Sequence, residues 1–382
     1  MLREALGRAL GRLDWSMAAA AAVLVAAGLS AIASFGGEGV ASSYAWRQLA
    51  WVGVSALAFL LLAASDAKLL RRSAAVVWIY GLSVALLLGL FAAGTVAKGA
   101  ESWFRLGAVG FQPVEFAKLA LILVLAKYFS RRHVEIRAVR HTFVSGAYAL
   151  GIFALTLMQP DFGGALVVFL VWLGVALASG LPRGHLLALL LAGALAFGAL
   201  WSWGFDGYQK ARILTFVDST RDVRGAGYNA IQAQVAVGSG QVWGKGLGYG
   251  TQSRLRYLPE YHTDFVFAAF AEEWGLAGSL VLLLAYGVLI WRVLAAAYRG
   301  ATNFEVLLCV GVAVYLLAHG TIAVGMNLGV LPVTGIPLPL VSYGGTSLLV
   351  TAAMLGIVTA TRGYARATHR SATQHEIPGL TG

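Results

Sequence analysis

Apolar residues in this chain come in long runs, not in stripes. Runs rich in Ala, Leu, Val, Ile, Phe and Gly recur near residues 15–35, 46–65, 73–93, 114–130, 142–159, 164–180, 186–205, 264–291, 304–328 and 346–361, separated by polar segments. A helix rises about 1.5 Å per residue, so roughly 20 apolar residues cross the ~30 Å hydrocarbon layer of a bilayer. In hydrocarbon the backbone must satisfy its own hydrogen bonds, so each run predicts a transmembrane helix. The run at 264–291 exceeds one thickness and should tilt or project its first turn. No series of short alternating segments suggests a barrel. The predicted fold class is all-α: a polytopic integral membrane protein of about ten helices, one domain over 1–382, with a long loop at 206–263 and a disordered tail at 362–382.

Composition agrees. Only 12% of the 382 residues are charged and 59% are hydrophobic, against roughly 25% charged in an ordinary soluble domain. Short connections decide orientation, because Lys and Arg accumulate on the cytoplasmic side. With both termini inside, the inner segments hold Arg3, Arg8, Arg12, Lys68, Arg71, Arg72, Arg131 and Arg132 among others, whereas the short outer loops hold Arg47, Lys98 and Arg105. The loop 206–263 then lies outside; its own cations weigh little, since long loops cross regardless of charge. A net charge of +11 is thereby an inner-face feature suited to anionic membrane lipids. No interleaving of aromatic and basic residues in a soluble module points to nucleic acid. Cys309 is the single cysteine, which rules out an intramolecular disulfide and fits a packing role. The first apolar run is long and followed by others, so it reads as a retained span.

Ionisable residues are expensive in a membrane and mark function by default. In LPEYHTDFVF (258–267), Asp264 stands where a polar loop becomes an apolar helix. It can serve as a general base, its basicity raised by partial burial. Alternatively Thr263 or Asp264 caps the helix. His262 beside it either orients that carboxylate, contacts phosphate or is structural. Glu115 and Lys118 are three apart and share a helix face: a pair that presents a cation to a phosphate, or an ion pair that only fixes packing. Asp161, in QPDFGG, joins this set or caps the next helix. Glu272 and Glu273, two turns into the helix after Asp264, favour structural roles. Gly238 to Gly250 lack the ending of a P-loop and predict a flexible loop. Within 206–263, Tyr228, Ile231 and Val235 at helical spacing predict a short helix on the membrane surface. Arg221, Arg224, Lys245, Arg254 and Arg256 supply cations there. Ser342 and Tyr343, after three prolines, offer hydroxyls or make the turn.

Four segments carry a resemblance: QPVEFAKL (112–119), QPDFGGAL (159–166), the stretch 225–275 ending in LPEYHTDFVFAAFAEEWG, and LPVTGIPLPLVSYGGTSLL (331–349). Together, and in this order, they resemble the SEDS family of bacterial cell-wall proteins; PVTGIPLPLVSYGG favours its elongation member over its division member. The resemblance implies a glycosyltransferase that polymerises lipid II at the outer face of the plasma membrane and releases undecaprenyl-pyrophosphate. It places the essential aspartate on Asp264 and a polar-cavity pair on Glu115 and Lys118, with Val114 where the family usually has serine. It implies a class B penicillin-binding protein as transpeptidase partner. Under it, Lys245, Arg254, Asp161, His262 and Ser342 are further substrate-binding candidates. A divalent cation beside the pyrophosphate is chemically reasonable, though no dense carboxylate cluster marks a site for it. Because no second carboxylate is placed as a nucleophile, attack should invert the anomeric centre. Two other readings stay open: a lipid II flippase, for which Glu272, Glu273, His319 and Asn327 speak, and a non-catalytic scaffold in which Asp264 is replaceable.

Overall fold

The structure is a computed structural model. It describes residues 13–34, 40–65, 74–97, 100–106, 109–132, 139–180, 182–207, 226–255 and 260–375, together with 11, 210, 214, 257 and 258. Ten long helices carry the fold: α1 (Trp15–Ser34), α2 (Val40–Ala64), α3 (Ala75–Ala93), α4 (Pro113–Ser130), α5 (Val139–Met158), α6 (Phe162–Ala178), α7 (Arg183–Ala199), α10 (Val266–Tyr298), α11 (Asn303–Asn327) and α12 (Gly345–His375). Between α7 and α10 the described residues include two short helices, α8 (Ala226–Ser239) and α9 (Thr251–Arg254). Among the described residues, eight helices are long and apolar enough to cross a bilayer. The other two long ones are α6, with 17 residues, and α4, which carries Glu115, Lys118 and Lys127.

Side chains sort as a lipid solvent requires. Leu57, Trp78, Leu195 and Trp203 are all more than half exposed, a liability in water and an ordinary state against acyl chains. The enclosed helices are α4, α11 and α12: α11 packs on α4, α6 and α10, and α12 packs on α2. Small residues allow close approach. A side chain at Gly174 of α6 would meet Val314 of α11, and one at Gly311 of α11 would meet Ile122 of α4.

Four features depart from the sequence expectation. The connection after α3 contains a small antiparallel sheet, β1 (Thr95–Ala97), β2 (Ala100–Leu106) and β3 (Val109–Phe111), with Phe104 opposite Phe111. α12 continues as helix beyond Arg362 to His375, where a disordered tail was expected. α8 buries Ala233 and Ala236 and packs on α10 and α11, while Val235 is 44% exposed; small residues, not the Tyr228–Ile231–Val235 face, make its contact.

The fourth concerns α10. It breaks at Gly275, with φ 65° and ψ −166°. The loop 241–246 fills the gap in its hydrogen bonding: Lys245 and Gly246 N–H donate to the carbonyls of Glu272 and Glu273, both at 3.0 Å, and Leu276 and Ala277 N–H donate to Gln241 and Val242 at 2.8 and 3.0 Å. Glu272 accepts from Lys245 Nζ at 2.7 Å and from Gln252 N at 3.1 Å; Glu273 accepts from Gly248 N and Ser34 Oγ, both at 2.7 Å. Both carboxylates thus bind the glycine loop, expected to be flexible, to α10.

Candidate functional site

Polar groups converge where α4, α6, α10 and α11 meet the connection between α11 and α12. Pro113 opens α4 at a position where a missing N–H costs nothing, and Glu115 and Lys118 follow. Their ion pair is 2.7 Å long, with both side chains 2% exposed. Lys118 Nζ also lies 3.1 Å from His319 Nε2, and His319 Nδ1 lies 3.2 Å from the Pro337 carbonyl. Tyr315 donates to Glu115 Oε2 at 3.1 Å, and Thr351 Oγ1 is 3.3 Å from the same hydroxyl. A buried pair is tolerable only when its remaining valences are satisfied, and α11 and α12 supply that satisfaction.

Asp264 sits in the turn before α10, but it is not the cap. The cap residue is Phe265, without a side-chain cap bond. Asn327, the last residue of α11, accepts from Ala268 N at 2.9 Å and donates to the Asp264 carbonyl at 3.0 Å. At Ala268 N the capping role considered for Thr263 or Asp264 is taken by Asn327. The Asp264 carboxylate faces Gly335, whose φ is 71°; a Cβ built there would lie 3.6 Å from Asp264 Oδ2.

Asp161 does cap its helix, accepting from Gly164 N at 2.7 Å. Burial raises its pKa above the ordinary value, against the lowering charge of Lys118 and the Gly164 N–H, while Glu115 adds to the rise. A side chain at Gly163 would run into Thr334 O and Ile336, each 2.7 Å away. Four consecutive residues, Thr334 to Pro337, thus border the start of α6 beside Asp161, the Asp264 carboxylate, and the Lys118–His319 pair. The loop is deeply set, with Ile336, Leu338 and Val341 at most 2% exposed, and a side chain at Gly28 of α1 would meet the Val341 backbone. Irregular backbone at such depth requires protein around it.

The remaining candidates take varied positions. His262 stacks among aromatics, its ring 4.8 Å from Tyr44 and 5.7 Å from Tyr343, and its carbonyl accepts from Tyr343 N at 2.8 Å. Ser342 is buried; its hydroxyl donates to Thr263 O at 2.6 Å and accepts from Leu338 N at 2.9 Å. Its hydroxyl joins two loops. Lys245 Nζ pairs with Glu272 and donates to Thr251 Oγ1, 2.8 Å away. Arg254 is exposed at the end of α9; Arg221, Arg224 and Arg256 lie outside the described residues. Sequence reasoning missed Tyr315 and Thr334, and gave His319 and Asn327 to transport. The Thr334 hydroxyl is buried and has no hydrogen-bond partner among the described residues. Among those residues, no three His, Cys, Asp or Glu gather as a metal site.

A family model described as cell cycle protein, spanning FtsW, RodA and SpoVE, matches residues 9–367. The peptidoglycan glycosyltransferase MrdB of Escherichia coli K12 is 39% identical over 284 residues, 74% of this chain and 76% of that protein. A probable peptidoglycan glycosyltransferase FtsW of Alkalilimnicola ehrlichii is 34% identical over 370 residues, 92% of this chain and 90% of that one. Of solved structures, one from work on the coordination of polymerization and crosslinking by a peptidoglycan synthase complex superposes with a TM-score of 0.79 at 34% identity, covering 92% of this chain and 98% of that one. The rod shape determining protein RodA of Thermus thermophilus gives 0.67 at 32%, covering 91% and 96%. A match of this length, reached by sequence and by fold alike, establishes that the chain belongs to the SEDS family of FtsW, RodA and SpoVE proteins.

Proposed function

We propose that this chain is a RodA-like peptidoglycan glycosyltransferase of a bacterial plasma membrane, polymerising lipid II in cell elongation, with Asp264 as general base. The observation that carries this reading is the position of the Asp264 carboxylate, against Gly335 in the Thr334–Pro337 wall that also borders Asp161 and the Lys118 network. In the reaction an acceptor sugar hydroxyl gives its proton to Asp264 as its oxygen attacks the anomeric carbon. The bond from that carbon to the pyrophosphate breaks, and the leaving group takes the electron pair, with inversion. Lys118, sealed beneath the wall, contributes a positive field to the departing charge. Both termini are cytoplasmic and the loop 206–263 is outside, which puts Asp264 on the outer face where lipid-linked sugar is consumed. A crosslinking penicillin-binding protein of class B is the partner, by analogy with the synthase complex above.

Purified full-length protein incubated with lipid II in detergent tests the reading, since polymerisation needs no sealed bilayer whereas transport does. Glycan strands are expected from the wild type, and Asp264→Asn should lower the rate by about 10²-fold or more. No strands from the wild type, even with the partner added, would refute the polymerase; full activity in Asp264→Asn would refute the base.

A further inference from the structure

We infer that His319 is a positioning residue that aims the Lys118 ammonium, tying the 331–344 loop to the cation of the site. This rests on the role given to Lys118 above. The argument is one of proton inventory. An ammonium only donates, so His319 Nε2, 3.1 Å from Lys118 Nζ, must offer a lone pair. A carbonyl only accepts, so His319 Nδ1, 3.2 Å from Pro337 O, must carry the proton. Both contacts select one neutral tautomer, and a second ring proton would set N–H against N–H.

Packing holds that arrangement. His319 is 0% exposed, and the Tyr315 ring lies 4.4 Å from its own, centroid to centroid. It stands eight residues before Asn327, about 12 Å down the helix; Pro337 O reaches it because the loop dips into the bundle. The titratable groups facing it are Lys118, Glu115 and Tyr315. Lys118 has two acceptors, Glu115 Oε1 at 2.7 Å and His319. Removing the second leaves the ammonium held from the Glu115 side alone, so that its direction towards the wall is no longer fixed.

Amide substitutions separate the two bonds. In His319→Gln the amide oxygen replaces Nε2 and can still accept from Lys118; in His319→Asn the amide nitrogen replaces Nδ1 and can still reach Pro337 O. With full-length protein, lipid II and detergent, His319→Gln should keep kcat within about twofold of wild type, and His319→Asn should lower it roughly tenfold with KM little changed. The reverse order, or equal effects of both, overturns the inference. Asp264→Asn runs alongside: if it stays fully active the base assignment falls, while the order of the two His319 variants is read independently. A second measurement needs no turnover. In ¹⁵N-histidine NMR of the wild type, with the His319 signals assigned by their loss in His319→Gln, Nδ1 should be protonated and Nε2 bare; a protonated Nε2 overturns the inference whether or not any variant is active.

Discussion

Asn327 shows how a distant residue can set the role of Asp264. Its amide bridges the first turn of α10, the Asp264 carbonyl and, at 2.7 Å, the Ala323 carbonyl. Asn327→Ala leaves buried groups without that partner, at a cost of about 1–3 kcal/mol. A lower Tm together with slower lipid II polymerisation is expected; an unchanged Tm would show that the bridge is dispensable. The segments beside Asp264 also hold left-handed backbone, φ 55° at Glu260 and 68° at Leu340, a conformation that costs non-glycine residues on the order of 1–2 kcal/mol. Ser342 helps retain it, so Ser342→Ala should lower Tm in thermal unfolding while KM for lipid II stays near wild type. Asp264 itself was legible in the sequence, because a carboxylate at a hydrophobic boundary is conspicuous. The hold of Asn327 on the first turn of α10 was not, because that residue lies 63 positions from Asp264 and no local spacing links the two.

Among elements, α10 gains most from the three-dimensional view. Its length suggested tilt or overhang; the structure adds a break whose backbone valences are met by another segment. The glycines at 240–250 were visible in the sequence but ambiguous, since the same residue type serves a mobile loop and a close contact. Here contact decides: a side chain at Gly244 would meet the Glu273 carbonyl, and one at Gly275 would meet Gly244 N. Gly275→Ala therefore combines an unfavourable φ with a collision. It should release the 240–252 segment, seen as faster proteolysis there and faster hydrogen exchange at Lys245 and Gly246. Protection equal to wild type would contradict the account. α8 shows the opposite lesson: its existence followed from periodicity, while its buried face did not, because alanines packed closely outcompete larger residues at a helix contact.

At the scale of the molecule, each of the ten apolar runs overlaps one long helix among the described residues, with α2, α10 and α12 extending beyond their runs, since bilayer thickness imposes a length that composition reveals. The small sheet lacked any such ruler. Neither did the sequence point to Asp14, which gathers α1, α10 and α12 at the end of the bundle remote from Asp264. Its carboxylate lies 2.6 Å from Arg292 and 2.5 Å from Arg362. Burial alone would raise the Asp14 pKa, but the Arg292 hydrogen bond and the Arg362 charge prevail and hold it below 3.8. A lowered carboxyl stabilises the fold fully above its unfolded value and loses that contribution as pH falls through the folded one. The Tm difference between wild type and Asp14→Asn should stay constant from neutrality to about pH 4 and shrink below it; a difference growing with acidity would contradict this.

The interrupted helix also bears on how the chain is made. Residues 241–246 leave the ribosome before 272–277, so the donors and acceptors that complete α10 already exist when its two glutamates emerge. Lys245 and Ser34 precede their carboxylate partners in the same way. Synthesis from the amino end thus prepares the receptacle before the insert, and a circular permutant opening the chain between α9 and α10 would reverse that order without altering one contact of the finished bundle.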